Sequence, residues 1–542
     1  MIRSAIILII SLFLLPSHAF ADTPGPPSDL RIGSGASTYT LTVTSGSGDG
    51  DYQAGQIVQI SAYDPDEGTA FAGWSGDVEY VEDEGSASTS LSMPEGDVEV
   101  VAEYRDEEIL AFPGAKGFGS TTPGGRGGEV IKVINLNNDG PGSLREAVSA
   151  SGPRIVVFDI GGTIVLDSDI VIKNPYITIA GQTAPGDGIT LRRANITVFE
   201  THDVIMRGLR FRIGNEDGGP PLDNRDAFQI SGTASNYNIV IDHCSFSWST
   251  DEILTTWGGD NYNITISNCI FTEPLNYDGH GYGVMFGPGS SNITFHNNII
   301  AHSKSRLPRI SGWVSGLPDR LPATSIELYN NIMYNWVYEA SLVGSDDIDD
   351  STHPLQMHWI NNYFIPGPDW TNDKPPIKIH PEVENNAIPE LYCVGNIGPG
   401  RANNTEPEEN IVRVDGREYV ATSKVFASSF APSGNYTTVY DELLGIEGEG
   451  IGAYYPSRDS VDERTISDIL NRTGNLLDTQ EHVGGWPNLQ EGTPPVDTDG
   501  DGMPDSWETS YGLDPQDPTD ANTDNNNDGY TNIEVYINSL FE

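Results

Sequence analysis

The chain has 542 residues, with 78 Asp+Glu against 28 Lys+Arg and a formal charge of −50 at pH 7. Such a charge excludes nucleic acid as a partner, because nothing offsets phosphate repulsion; three Cys are too few for a disulfide framework and match no zinc spacing. At 37% hydrophobic residues, with 23 Tyr and 60 Gly, the chain has enough apolar side chain for a sizeable core, and its length suggests three or four domains unless part of it is a solenoid.

Residues 1–21 read as an export signal: Arg3 gives a positive start, Ala5 to Leu15 an apolar run, and Ala19-Phe20-Ala21 a small-x-small cleavage site before Asp22. The run is too short for a membrane span and no second one follows. The mature chain is expected to be secreted and monomeric. Acid is spread unevenly along it. Residues 22–110 hold 19 acids and 2 bases, and residues 491–542 hold 13 acids and no base. These shifts set boundaries at 22–110, 111–490 and 491–542.

In the first region, Tyr39-Thr40-Leu41-Thr42-Val43 and Val98-Glu99-Val100-Val101-Ala102 alternate apolar and polar residues, the period of short antiparallel strands. Phe71-Ala72-Gly73-Trp74 is similar to a piece of a small β-repeat module of bacterial surface and secreted proteins. With no His and no clustered nucleophile there, a spacer or adhesive role is the expectation, ahead of sugar binding.

The middle region repeats. Ile239-Val240-Ile241-Asp242-His243-Cys244, Ile264-Thr265-Ile266-Ser267-Asn268-Cys269, Ile293-Thr294-Phe295-His296-Asn297-Asn298 and Ile326-Glu327-Leu328-Tyr329-Asn330-Asn331 align on one another. Taking Leu209, Cys244, Cys269, Asn298, Asn331, Asn362 and Asn396 as equivalent, the steps are 35, 25, 29, 33, 31 and 34 residues. Short strands at this irregular period, without helices between them, predict an all-β parallel β-helix with length variation in its loops. An Asn at each turn can bond its counterparts above and below. Cys244 and Cys269 fall in the same column and read as small buried hydrophobes in preference to a disulfide. The Asn-x-Thr sequences at Asn195, Asn263 and Asn292 read as features of the fold. A short helix at 143–148, with Ser143 and Glu146 in capping-box spacing, is expected to cover the open first coil.

Several motifs resemble the family-1 polysaccharide lyases, the pectate lyases. Near the start they are Phe112-Pro113-Gly114-Ala115-Lys116-Gly117-Phe118-Gly119, Gly124-Gly125-Arg126-Gly127-Gly128, Gly142-Ser143-Leu144-Arg145 and Val157-Phe158-Asp159. Then come Ile241-Asp242-His243-Cys244-Ser245, Ser249-Thr250-Asp251-Glu252, Ser305-Arg306-Leu307-Pro308-Arg309 and Asp478-Thr479-Gln480-Glu481-His482-Val483-Gly484-Gly485-Trp486-Pro487. The resemblance covers roughly residues 111–490, and its fold is a right-handed parallel β-helix. It implies calcium-dependent β-elimination on polygalacturonate (pectate). That chemistry needs a cation to neutralise the uronate carboxylate, a base for the C5 proton and positive side chains to hold the polymer. By the same match Asp226 and Asp251 are calcium carboxylates, 25 residues or one coil apart, and Glu252 is an additional ligand. The chain departs from the family at Thr255 and Asn224, where further acids are often found. Arg306 matches the catalytic arginine and Arg309 a substrate-binding one. A guanidinium is an awkward base, so Lys304, two residues before it, stands as the alternative. His280 holds the place of a substrate-binding Lys, and Asp242-His243 is expected to buttress the site.

In the tail, Asp497-x-Asp499-x-Asp501-Gly502-x5-Glu508 fits the twelve-residue calcium loop, with Asp505 at position nine. Asp524-x-Asn526-x-Asp528-Gly529 starts a second, whose closing acid Glu534 comes one residue early. Two rival readings remain: a β-helix hydrolase of the same polymer working through paired carboxylates such as Asp242 and Asp251, and a non-catalytic polysaccharide-binding surface protein.

Overall fold

The computed structural model describes residues 37–541 apart from 66–68, 107, 313–322, 345–353, 381–388, 433–435, 446–449 and 454–456. The export signal lies outside the described residues. The chain forms two compact units, Met1–Glu107 and Glu108–Glu542.

In the first unit the alternating runs are strands. Leu41 and Val43 of Thr38–Thr44, and Val98, Val100 and Ala102 of Val98–Asp106, point inward onto Val58, Ile60, Trp74 and Leu91. The two runs pair in parallel, Leu41 opposite Val98, so the pairing is not antiparallel throughout. Trp74 closes this small core, its indole donating to the Ser86 carbonyl at 2.9 Å.

The second unit is a parallel β-helix. Each coil visits three sheets in turn, as in Ser235–Asp242 (sheet 1), Ser245–Ser247 (sheet 2) and Glu252–Trp257 (sheet 3). Among the described residues sheet 1 has eleven strands, from Glu129–Val133 to Val420–Ala421, and sheets 2 and 3 have eight each. Ile239, Ile264, Ile293 and Ile326 stand in register on sheet 1, and Phe211, Phe246 and Phe271 stack through the interior at 4.8 and 5.0 Å. Such pairs add ~0.5–1.5 kcal/mol each beyond their burial.

The Asn column is continuous. The side-chain amide of Asn331 donates to Asn362 Oδ1 at 2.9 Å, and that of Asn362 to Asn396 Oδ1 at 2.9 Å. Cys244 and Cys269 continue the column as free, buried thiols; the Cys244 amide donates to Cys269 Sγ at 3.4 Å. The residue before each column position explains the paired asparagines. Gly208, His243, Asn268, Asn297, Asn330, Asn361 and Gly395 all have positive φ, from 48° to 72°, and Asn and Gly are the residues that tolerate this left-handed turn. Of the three Asn-x-Thr asparagines, Asn195 is 2% exposed, while Asn263 and Asn292 belong to a side-chain ladder.

Leu144–Ser149 is the expected helix: Ser143 accepts from the Glu146 amide, and Leu144, Ala147 and Val148 join the main core. The tail packs on the outer face of the first coils. Met503, Ala521, Ile533 and Ile537 cover Ile155, Val157 and Ala180.

Candidate functional site

Asp226 leads into Phe228–Ser231, the sheet 3 strand of its coil, and Asp251 and Glu252 stand at the start of the next, Glu252–Trp257. Arg225 fixes the approach: its guanidinium donates to the carbonyls of Gly214, Glu216, Gly218 and Pro220, tying down the loop before Asp226. One coil therefore brings the three acids together, with one carboxylate oxygen from each inside a 4.8 Å group. Asp226 is 2% exposed and accepts from Gln229 Nε2 at 2.9 Å and the Glu252 amide at 3.1 Å. Burial pushes its carboxyl up to about 7, and the charge of Asp251 adds to this. Asp251 is also raised, first by burial, against the pull of His280 and Arg306. Three carboxylates gathered against their own desolvation and repulsion, with no nitrogen or sulfur donor among them, fit a hard divalent cation.

The next coils supply positive charge. Arg306 Nη1 forms an ion pair with Glu252 Oε1, and its guanidinium lies 4.0 Å from the centre of the Tyr282 ring. Burial, then the neighbouring Arg309, lowers its pKa to about 10, while Asp251 and Asp226 oppose the shift. Its backbone has φ 68°, a region that costs a non-Gly residue ~1–3 kcal/mol and is concentrated at functional sites. The turn is pinned from behind by Gly283. The Val284 amide donates to the Arg306 carbonyl at 2.7 Å, and a Cβ on Gly283 would stand 2.4 Å from that oxygen. Arg309 is in register with Met285 and Leu342 on the outer face of sheet 3. His280 Nε2 is 3.7 Å from Asp251 Oδ1. Lys304 donates to the Gly279 carbonyl and sits 5.7 Å from the Tyr338 ring.

All the residues proposed for chemistry in the middle region thus share one face. Reading the motifs alone missed Gln229, which orients Asp226, and Tyr282, which supports Arg306; the signal for Tyr282 was its place between Gly281 and Gly283. Asp242-His243 is a correction, since it does not buttress this face. Asp242 lies on sheet 1, 0% exposed, with its oxygens taken by Arg207, His243, Ser267 and Asn268, and His243 stacks on Phe541 of the tail at 4.6 Å. A hydrolase pair of Asp242 with Asp251 is therefore not formed. A cavity of about 740 Å³ against Tyr392, Glu408 and Arg417 touches none of the site residues.

The tail holds a second set of acids. Asp497, Asp499 and Asp501 make one close group, and Asp501, Glu508 and Asp520 another. Asp505 is not in either: both its oxygens accept from Thr498. Asp520, absent from the sequence reading, takes a place in the cluster. The second loop is only partly occupied with itself, since Asp524 Oδ1 is buried without a hydrogen-bond partner. Asn526 donates to Asp528 at 2.8 Å, and Glu534 pairs with Arg126 at 2.9 Å while accepting from Thr531.

The divergent InlB B-repeat domain family matches residues 39–108. The chain is similar to the probable pectate lyase C of Aspergillus flavus, at 35% identity over 80% of this chain and 94% of the fungal one. The Emericella nidulans protein of the same description is 34% identical over 80% and 93%. Among solved structures, Jun a 1, the major allergen from cedar pollen, aligns at 18% identity and TM-score 0.42 over 60% of this chain and 90% of that one. A pectate lyase bound to a hexasaccharide aligns at 15% and TM-score 0.41, over 64% and 98%.

Proposed function

The chain belongs to the pectate lyases, and we propose that it is a secreted enzyme that cleaves polygalacturonate by calcium-dependent β-elimination. The observation that carries this reading is the single face on which Arg306, ion-paired to Glu252, adjoins Asp226 and Asp251.

Asp226, Asp251 and Glu252 would hold calcium, which supplies the positive charge that neutralises a uronate carboxylate and makes the neighbouring C5 proton acidic. Arg306 is the base. Burial and Arg309 already lower its pKa to about 10, and its partner Glu252 belongs to the same acid group, so engagement of Glu252 elsewhere frees the guanidinium. In its neutral form Arg306 takes the C5 proton, the electron pair forms the C4–C5 double bond, and the glycosidic oxygen leaves C4 and takes a proton from solvent water. Arg309 grips a second carboxylate with its planar fork, and His280 and Lys304 flank the polymer on the coils beside Arg306. Tyr282 and the pinned turn keep the base in place, which matters because misplacement by about 1 Å can cost ~10²-fold in rate.

The test is product chemistry. Polygalacturonate incubated with the protein and calcium should develop the ultraviolet absorbance of an unsaturated product, and a chelator should abolish it. Saturated oligogalacturonides, produced equally with chelator, would instead mean hydrolysis.

A further inference from the structure

The tail cluster differs from an ordinary acidic surface in how many of its oxygens have nothing to bond. Glu508 is 0% exposed, and neither of its carboxylate oxygens has a hydrogen-bond partner. Asp499 Oδ2, Asp501 Oδ2 and Asp520 Oδ1 are also buried without one. The other oxygens of Asp499, Asp501 and Asp520 accept from the Asp501, Met503 and Asp514 amides. Asp497 accepts from the amides of Gly500 and Gly502. The backbone thus takes one side of Asp499, Asp501 and Asp520 and leaves the other buried and unmet beside Glu508, while Asp497, both of whose oxygens accept amides, closes the edge of the group. A buried, unpartnered carboxylate costs several kcal/mol unless a cation meets it. All-oxygen donors in this number match calcium; magnesium keeps more of its waters, and zinc takes nitrogen or sulfur.

The same segments hold the tail to the β-helix. Two of the ligand-bearing stretches run directly into residues buried against the first coils. Asp501 is followed by Gly502 and Met503. Gly502 has φ 96°, and a Cβ there would meet Val130 Cγ1 at 2.8 Å and Val157 Cγ2 at 3.3 Å; Met503 is 0% exposed. Asp520 is followed by Ala521, 1% exposed, and by Asn522, whose amide donates to the Gly128 carbonyl at 3.1 Å. Lys132, on the first strand of sheet 1, reaches Asp497 at 2.5 Å and Asp159 at 3.3 Å. Movement of the acids apart therefore pulls on the contacts that cover Ile155, Val157 and Ala180.

We propose that Asp497, Asp499, Asp501, Glu508 and Asp520 bind a calcium ion separate from that of the catalytic face, and that this ion latches residues 497–541 onto the flank of the first coils. The assignment takes Asp505 out of the loop's ligand set and brings Asp520 in from outside the twelve-residue window. It does not depend on the lyase reading. Removing the ion leaves five carboxylates facing one another beneath an apolar seam, and the tail lifts.

The full-length chain is compared with Glu508→Gln, Asp520→Asn and the control Asp505→Asn by calcium-binding calorimetry and by limited proteolysis with calcium or chelator. In the wild type calcium should protect the stretch after residue 490 from cleavage. Glu508→Gln and Asp520→Asn should each bind one equivalent fewer at the same calcium concentration and be cut there even with calcium, while Asp505→Asn behaves as wild type. If Glu508→Gln fails to fold, Asp520→Asn, altered at a half-exposed side chain, decides alone. Wild-type stoichiometry and protection in Asp520→Asn, or loss of both only in Asp505→Asn, would overturn the proposal.

Discussion

The two acid clusters of the β-helix unit are built from the same side chains and set in opposite surroundings. On sheet 3, Asp226 has both oxygens hydrogen-bonded, Glu252 is paired with Arg306 and Asp251 has His280 beside it. In the tail cluster of Asp499, Asp501, Glu508 and Asp520, five carboxylate oxygens are buried without a partner, and Lys132 touches its edge at Asp497. A cluster whose charges are already partly answered can exchange a cation and a polyanion and then return to a stable resting state. A cluster whose counter-charge reaches only its edge depends on its ion. The difference teaches that counter-charge, more than the number of acids, separates a site for turnover from a site for fastening.

The largest effect expected from breaking this contrast is at Arg306. Arg306→Lys keeps the positive charge but loses the fork that reaches Glu252 and lies on Tyr282. Turnover should fall by about 10²–10⁴, the usual worth of a general base, with the melting temperature unchanged. Steady-state rates on polygalacturonate check this; near-wild-type turnover would move the base to Lys304. Arg309→Lys, at the edge of the same face, should raise KM more than it lowers kcat, as expected for a group that grips a carboxylate.

A scaffold mutation shows whether the catalytic face can be disturbed from inside without touching its acids. Asn331→Ala removes the acceptor of the Asn298 amides and the donor to Asn362 Oδ1 and to the Phe295 carbonyl. Each buried group left unpaired costs ~1–3 kcal/mol, so the urea midpoint should drop clearly, with the calcium dependence of activity kept.

The smallest effect lies away from both clusters. His358 is 0% exposed; the Val425 amide donates to its Nε2 and Phe426 stacks on it at 3.9 Å. Burial, with Lys424 adding, lowers its pKa to about 4. Because that folded value is below the unfolded one of ~6.5, the unfolded chain binds more protons between the two. Stability should therefore rise with pH from about 4 to about 6.5 and fall on acidification through that window. His358→Gln should flatten that slope in urea melts, while a slope unaltered by the substitution would place the pH dependence elsewhere.

Much of this was legible in the sequence because stacked coils repeat their constraints. The column from Leu209 to Asn396 fixed the coil period, and the motifs around Asp226, Asp251 and Arg306 put the site residues on neighbouring coils. Three features were not legible, each for a local reason. One coil spends its residues on three sheets, so Asp242 and Asp251, close in sequence, face different ways. In the tail, Pro504 begins the helix Asp505–Tyr511 early, which cuts the loop short, turns Asp505 back onto Thr498 and opens its place to Asp520. Glu534, one residue early for a ligand, is the N3 residue of a capping box with Thr531 and the partner of Arg126. Spacing rules register an acid at a given offset; they carry no information about a helix that starts before the loop has closed.

The most direct test of two separate calcium centres is a calcium titration of Asp251→Asn and Glu508→Gln, following initial rate and melting temperature on the same samples. Asp251→Asn should raise the calcium needed for half-maximal rate by at least the ~10-fold typical of losing even a supporting ligand partner, and should keep the calcium-dependent rise in melting temperature. Glu508→Gln should do the reverse, losing the stabilisation while its rate still saturates at the wild-type calcium concentration. Parallel shifts of rate and melting temperature in both variants would mean a single calcium-dependent unit and would contradict the account.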